Sequence, residues 1–136
     1  YGNDRFGYSV EVPYKLFSEV VTLPDNADGI ILASKDGKAR FRVSGGNVMD
    51  EDTLRSAFED AKQSVGKDFV FENLTEDSWR LCWWDGDRFF QRKFVVNEEV
   101  WAECEVSYPS SRDEGSRSPW DDLAFQAVES LALGME

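Results

Sequence analysis

The sequence contains no histidine. Histidine is the commonest general base at neutral pH and the commonest metal ligand, and catalytic Ser-His-Asp and Cys-His arrangements require it. Its absence removes these routes to catalysis. We therefore expect a protein that is not an enzyme and that carries no cofactor and no metal ion.

Positive charge is also scarce. Fifteen Lys and Arg residues stand against 27 Asp and Glu residues, giving a net charge of −12 and a pI near 4.4. Nucleic-acid binding draws its affinity from cationic side chains that neutralise phosphates, and an acidic surface does not favour anionic membranes. We expect no nucleic-acid partner and instead a protein partner with a basic surface, attracted over a long range. Solubility alone is the alternative explanation.

Long apolar runs are missing as well. No stretch approaches the roughly 18 apolar residues of a transmembrane helix, so we expect no membrane span. The chain begins at Tyr1 rather than Met, which is compatible with removal of a signal peptide. We expect a periplasmic or secreted protein that is a monomer when free.

What the sequence does contain is enough apolar material for one core. Of its 136 residues, 41% are hydrophobic and 14% are aromatic, and each buried aromatic removes roughly 150–250 Å² from water. This length fits one domain. We assign residues 1–136 to a single α+β domain, an antiparallel sheet packed with two main helices.

Periodicity predicts an N-terminal strand and both helices. Apolar residues alternate along Arg5–Pro13, and Pro13 ends that strand. Apolar residues at helical spacing predict one helix over about 52–65 and another over about 119–133. Ser118 and Pro119 suit the cap and the first turn of the second helix.

A hairpin is predicted around Asp36-Gly37. Ile30–Ser34 and Ala39–Ser44 flank this dipeptide, which is the strongest short-range hairpin signal. Gly45-Gly46 should end the second strand. The predicted register sets Ile30 beside Val43 and Leu32 beside Phe41, with Arg40 and Arg42 on the other face.

The C-terminal half predicts a three-strand meander with tight turns at Asp85-Gly86 and Asn97–Glu99. We expect the alternating apolar residues of all three strands to share one core face. These residues are Trp79, Leu81, Trp83, Phe90, Phe94, Val96, Val100, Ala102, Cys104, Val106 and Tyr108.

The two cysteines, Cys82 and Cys104, are predicted to be free and mostly buried. The expected register places Cys82 on the face opposite the core and Cys104 on the core face, two strands away. Strands two apart are roughly 9–10 Å distant, whereas a disulfide joins Cα atoms no more than about 7 Å apart.

The face opposite the predicted core carries aromatic residues and carboxylates. Aromatics surrounded by charge are typical of a protein-binding hot spot when exposed, and of a second core layer when covered. Val95 would lie on this face too. The predicted partner-binding residues are Trp84, Asp85, Asp87, Phe89, Trp101, Glu103 and Glu105.

Glu103 and Glu105 also support an alternative function. They are two apart on one strand, about 7 Å from each other, and two carboxylates at such a distance can hydrolyse glycosides. A carboxylate-based hydrolase requires a concave pocket containing both. The structural alternative is that Lys93 and Gln91 of the neighbouring strand pair with the two glutamates at the surface.

The acidic segment Asp25–Gly29 does not fit a calcium-binding loop. Aligning Gly29 with the invariant glycine of such a loop places Pro24 at the first ligand position and Lys35 where a bidentate Glu belongs. An ordinary turn is therefore predicted here.

Three segments of the chain form a recognisable combination. They are the opening Arg5-Phe6-Gly7-Tyr8-Ser9-Val10-Glu11-Val12-Pro13, the Asp25–Gly29 turn before a hairpin with Asp36-Gly37, and an ending that runs from Tyr108-Pro109 through a polar loop to Val128-Glu129-Ser130-Leu131. Together they resemble small exported bacterial domains of the PsbP-like α+β superfamily. That superfamily includes photosystem II extrinsic subunits, a Ran-binding nuclear-import factor and bacterial secretion-effector chaperones. The resemblance implies an antiparallel sheet between helices and binding to other proteins, and it transfers no functional residue.

Together these observations predict a non-enzymatic, exported protein-binding domain. The most specific hypothesis is an acidic inhibitor or immunity-type protein that blocks the basic cleft of a secreted effector. The alternatives are the hydrolase and a structural subunit or chaperone of the same fold.

Overall fold

The computed structural model describes residues 1–3, 6–22, 29–49, 52–65, 69–110 and 120–133. Within these ranges the chain forms two helices and ten strands in two antiparallel sheets, so sheet predominates. The strands are β1 (Gly2–Asn3), β2 (Tyr8–Ser9), β3 (Glu19–Thr22), β4 (Gly29–Ala33), β5 (Arg40–Asn47), β6 (Phe69–Leu74), β7 (Ser78–Asp85), β8 (Arg88–Val96), β9 (Val100–Pro109) and β10 (Ala132–Leu133). The helices are α1 (Thr53–Val65) and α2 (Trp120–Glu129).

The larger sheet has seven strands in the order β3-β4-β5-β9-β8-β7-β6. Its β4–β5 hairpin has the predicted register, with Ile30 opposite Val43 and Leu32 opposite Phe41. These four side chains are buried at 7% exposure or less. The prediction is confirmed because a turn at Asp36-Gly37 determines every pair that follows it.

Strand β5 does not end at Gly45-Gly46, as the sequence predicted, but continues through both glycines to Asn47. A Cβ atom on Gly45 would lie 2.7 Å from the Tyr8 ring, and one on Gly46 would lie 2.8 Å from the Trp101 ring. Glycine is required here for close packing on both faces of the strand. The two glycines make room for aromatic rings that pack closely on the strand, and they do not interrupt it.

The meander β7–β8–β9 is confirmed, but its first turn lies one residue later than predicted. Asp85 pairs with Arg88, so Gly86 and Asp87 are the two central residues. Gly86 has a φ of 62°, and a positive φ at the first central position is typical of a type II′ turn. The shift moves each partner by two residues, so it changes no side chain's face.

The predicted single core face is wrong. Val96 pairs with Trp101 across the second turn, so Phe94 lies opposite Glu103 and Val95 opposite Ala102. Apolar side chains therefore occupy both faces of the sheet and form two cores. The α2-side core includes Leu32, Phe41, Val95, Cys104, Val106, Tyr108 and Val128. The α1-side core comprises Phe58, Ala61, Trp79, Leu81, Trp83 and Phe94.

The N-terminal strand is much shorter than the predicted Arg5–Pro13. Only Tyr8–Ser9 is strand, and it pairs with β1 on one side and β10 on the other to form the small sheet. The predicted alternation is nevertheless present, since Phe6, Tyr8 and Val10 are all buried. Arg5 itself lies outside the described residues.

Helix α1 agrees with the predicted 52–65, whereas α2 ends at Glu129 instead of 133. The chain turns there because Ala132–Leu133 pairs with β2. Lys93 Nζ donates hydrogen bonds to the backbone oxygens of Glu129 (3.0 Å) and Leu131 (3.2 Å), which lie at this turn. The predicted cap residues Ser118 and Pro119 lie outside the described residues.

A polar network fastens α2 to the sheet. Gln91 Nε2 donates to the Tyr108 hydroxyl at 2.9 Å, and that hydroxyl donates to the Asp121 carboxylate at the start of the helix. Arg80, only 5% exposed, forms an ion pair with Glu129 at the helix end. These bonds satisfy polar groups that would otherwise be costly to bury.

We expect Gly46→Ala to lower the free energy of unfolding by about 1–3 kcal/mol, because the added methyl group must displace the Trp101 ring from a packed site. Urea denaturation measures this change. Gly2→Ala is the control, since nothing lies within 4 Å of a Cβ there, and it should change stability by less than about 0.5 kcal/mol. Equal effects of the two substitutions would contradict the packing argument.

Candidate functional site

Four of the seven predicted partner-binding residues come together at the β7–β8 turn. The rings of Trp84 and Phe89 pack at a centroid distance of 4.9 Å on the α2 side of the sheet. Asp85 and Asp87 are exposed at the turn beside them. Two carboxylates thus flank a half-buried aromatic pair, and we call these four residues the hairpin tip.

The other three predicted residues lie on the opposite face, so the single patch predicted from the sequence is wrong. Trp101 stacks on Phe94 at 5.5 Å and packs against the α1-side core. Glu103 and Glu105 follow it on the same face of β9. Val95 is buried in the α2-side core. The alternative of a covered second layer therefore describes Trp101 better than an exposed hot spot.

Glu103 and Glu105 are held by two arginines. Arg92 contacts Glu105 at 2.5 Å and Glu103 at 3.7 Å, while Arg42 contacts Glu103 at 3.1 Å and Glu105 at 3.6 Å. The carboxylate side chains are only 17% and 15% exposed. The predicted partners Lys93 and Gln91 are wrong, because both lie on the α2 side of the sheet.

This arrangement does not provide the pocket that the hydrolase alternative requires. Of the two carboxylates, only Glu105 lines the neighbouring cavity, and both already accept hydrogen bonds from guanidinium groups. Two carboxylates tied to two arginines are typical of a structural ion-pair lattice. Among the described residues no group of three or more metal-binding side chains forms.

The cavity beside these ion pairs has a volume of about 350 Å³ and is rich in arginine. Its lining includes Arg40, Arg42, Arg88, Phe90 and Ser107, and we call it the arginine pocket. Arg88 donates to the Ser107 hydroxyl oxygen at 2.9 Å and to the Lys38 carbonyl oxygen at 2.7 Å. Burial and the nearby charge of Arg40 lower the pKa of Arg88.

A larger and more open groove, of about 960 Å³, lies at the other end of the strands. It is bounded by the start of α1, the turn between β6 and β7, and the turn between β8 and β9. Its lining includes four exposed carboxylates and one exposed arginine, Arg55. The carboxylates are Asp52, Glu76, Asp77 and Glu98, and we call this surface the acidic groove.

Short local motifs build the walls of the acidic groove. Asn97 Oδ1 accepts hydrogen bonds from the backbone N–H groups of Glu99 and Val100, both at 2.8 Å. Thr75 Oγ1 bonds to Asp77 and Ser78 in the other turn. Asx and Ser/Thr turns of this kind fix a loop without a large core.

Apolar side chains lie exposed in and near the acidic groove. Met49 is 86% exposed and Leu74 is 37% exposed, and both line the groove. Val70 and Phe71 on the adjoining strand β6 are 60% and 48% exposed. Asp52 and Glu98 are far apart in the sequence, and their convergence at the groove depends on the tertiary structure.

Both cysteine thiols are free and buried, as predicted. The predicted reason was partly wrong, because Cys82 and Cys104 share the α2 face of the sheet. Strand β8 separates them, so the two-strand spacing is what keeps them apart. Burial raises the pKa of both thiols.

Comparison with known proteins identifies no relative: no family model matches the chain, and no curated protein is similar to it in sequence. The resemblance to the PsbP-like superfamily therefore stays a prediction. Neither described helix is long and apolar enough to cross a membrane.

We expect Glu105→Ala to destabilise the fold by about 1.5–3 kcal/mol, because it removes charged hydrogen bonds at a largely buried site. Glu72→Ala is the matched control. Glu72 pairs with Lys62 at 3.1 Å, but the two side chains are 48% and 33% exposed, so its loss should cost less than about 1 kcal/mol. Urea denaturation of both variants measures the difference, and equal losses would contradict it.

Both cysteines should resist alkylation by iodoacetamide in the folded protein. The thiolate is the reactive species, and a raised pKa together with burial leaves little of it accessible at pH 8. We expect alkylation about 100-fold or more slower than in urea, and faster as the pH rises. Mass spectrometry measures the extent of alkylation over time. Rapid alkylation of either thiol without denaturant would contradict the burial of the two side chains.

Proposed function

We propose that the chain is a single α+β domain that binds a protein partner, and that the acidic groove receives a basic, partly apolar segment of that partner. The observation that carries the proposal is the composition of the groove. Four exposed carboxylates and one arginine surround apolar side chains within an open volume of about 960 Å³.

Electrostatics favour a cationic occupant. Among the described residues that line the groove, four carboxylates stand against one arginine, an excess of three negative charges. The chain as a whole has a net charge of −12. Charge of one sign in a concave surface attracts the opposite charge and speeds association at low salt. A lysine- or arginine-rich segment meets this requirement.

Apolar contact provides the second part of the recognition. Met49 and Leu74 line the groove with substantial exposure, and an occupant that covers them removes apolar surface from water. Each 100 Å² of such surface contributes roughly 2.5 kcal/mol. The proposed segment therefore alternates cationic and apolar residues.

Strand β6 offers an additional means of attachment. It is the last strand of the seven-stranded sheet, and Phe71–Leu74 pairs regularly with β7 while its outer side has no neighbouring strand among the described residues. An extended segment leaving the groove at Leu74 can continue as a further antiparallel strand. Peptides bind in this way through main-chain hydrogen bonds.

The hairpin tip supports a second candidate function, the inhibitor or immunity-type protein. Trp84 and Phe89 pack together while Asp85 and Asp87 are exposed at the turn. An aromatic anchor flanked by carboxylates suits insertion into a basic cleft. In this candidate the chain is exported, does not catalyse a reaction and acts by blocking a secreted effector.

We expect the combined variant Asp52→Asn, Glu76→Gln, Asp77→Asn and Glu98→Gln to weaken binding of a fluorescent peptide of alternating Lys and Leu by about thirtyfold. Four surface charge pairs at about 0.5 kcal/mol each total about 2 kcal/mol. Fluorescence anisotropy at low and high salt measures the affinity. A peptide with Glu in place of Lys should not bind.

The matched control neutralises four exposed carboxylates outside the groove: Glu11, Glu19, Glu59 and Asp60. Both variants have the same net charge, so only a specific groove separates them. If both fourfold variants weaken peptide binding equally, the attraction is non-specific and the proposal is wrong. If instead Trp84→Ala with Asp85→Asn abolishes inhibition of a candidate effector, the hairpin tip is the interface.

A further inference from the structure

The arginine pocket concentrates positive charge in a strongly acidic chain. Arg40, Arg42 and Arg88 line it together with one carboxylate, Glu105. Counted over the described residues, its lining thus carries two more positive charges than negative ones. Adding the neighbouring Arg92 and Glu103 leaves the same excess of two.

The guanidinium groups of the pocket are held in place before any ligand arrives. Arg88 is tied to Ser107 and to the Lys38 carbonyl oxygen, and Arg42 is tied to Glu103 and Glu105. Immobilised donors cost little additional entropy when they bind a ligand. The β4–β5 turn at Gly37 forms part of the wall.

Two of these arginines have no carboxylate within ion-pair distance in the part of the chain that the structure describes. Among the described residues, neither Arg40 nor Arg88 forms an ion pair, whereas Arg42 and Arg92 do. Arg40 is exposed. Each guanidinium has five N–H donors, so Arg88 retains donors beyond its bonds to Ser107 and Lys38.

The pocket also offers a hydroxyl donor and an apolar wall. The Ser107 hydroxyl oxygen accepts hydrogen bonds from Arg88 at 3.1 and 2.9 Å, which leaves the hydroxyl proton to donate. Ile31 and Phe90 line the same cavity and are partly buried. An anion with a small organic part fits this combination.

We propose that the arginine pocket binds a small oxyanion carrying two negative charges, a phosphate monoester or a dicarboxylate, between Arg40, Arg88 and Ser107. Guanidinium groups bind both kinds of oxyanion through paired, charge-assisted hydrogen bonds. The volume of about 350 Å³ falls within the usual range of small-molecule sites, roughly 300–1,000 Å³. Such a ligand cancels the local charge excess.

The lowered pKa of Arg88 agrees with this site. It arises from burial first and from the charge of Arg40 second, so the guanidinium lies in an environment that disfavours its charge. A bound dianion reverses that effect by supplying negative charge nearby. The site is independent of the acidic groove, which has the opposite charge and lies at the other end of β5.

The test uses three probes on the whole chain: inorganic phosphate, phenyl phosphate and succinate. Calorimetry at constant ionic strength gives affinities, and NMR follows the Ser107 amide and the Arg88 Nε–H. We expect saturable binding by at least one probe with shifts confined to the pocket. Arg40→Glu should weaken it about tenfold or more, because it removes a charged hydrogen bond and adds repulsion.

Arg55→Glu is the matched control, since it makes the same charge change in the acidic groove and should leave the affinity unaltered. Ser107→Ala provides a second variant and should weaken binding without reversing charge. Binding of the two phosphates identifies a phosphate ester, and binding of succinate alone identifies a dicarboxylate. Absence of saturable binding by all three, or equal effects of Arg40→Glu and Arg55→Glu, overturns the proposal.

Discussion

The pairing of Val96 with Trp101 is the constraint on which the rest of the structure depends. It places Phe94 opposite Glu103 and Val95 opposite Ala102, so that apolar side chains of these strands lie on both faces of the sheet. A sheet that is apolar on both faces must be covered twice. Helix α2 covers the strands β8 and β9 on one face, and α1 covers β7 and β8 on the other. Each of the two helices in the described ranges thus covers the middle of one face of the seven-stranded sheet.

The part of the α1-side face that neither described helix covers is lined by charged side chains instead. Arg42, Arg92, Glu103 and Glu105 form an ion-pair lattice there, and Arg92 lies over the Trp83 ring at 5.1 Å. Arginine stems cover apolar surface while their heads remain near water. This layer covers β5, β8 and β9, and two further arginines beside it, Arg40 and Arg88, line the arginine pocket. The cationic site is thus a by-product of how the sheet is covered.

Local signals explain which features the sequence could predict. The β4–β5 register followed from one Asp-Gly turn, and the meander followed from period-two alternation, because both depend on neighbours in the chain. The sequence did not predict which face of β8 coincides with which face of β9. Both strands have apolar residues on both faces, so either alignment fits the hydrophobic pattern equally well. Gly45-Gly46 was misinterpreted because the rings that require glycine come from Tyr8 and Trp101, which are distant in sequence.

The candidate site was predictable only in part for the same reason. Trp84, Asp85, Asp87 and Phe89 are close in sequence and did come together. The acidic groove joins residues that are distant in sequence, such as Asp52 and Glu98, which are 46 positions apart. Sequence composition revealed the abundance of carboxylates, but the fold alone determines that these four share one concave surface.

The placement of the two charged surfaces along β5 has an electrical consequence. Arg40 at the start of this strand lines the arginine pocket, and Val48 just beyond its end lines the acidic groove, roughly 25 Å away at strand spacing. The charged side chains that line these two surfaces therefore form a local dipole along β5, in addition to the net charge of the chain. A charged partner that approaches the protein exerts a torque on this dipole, and the torque orients the protein before the partner makes contact with it.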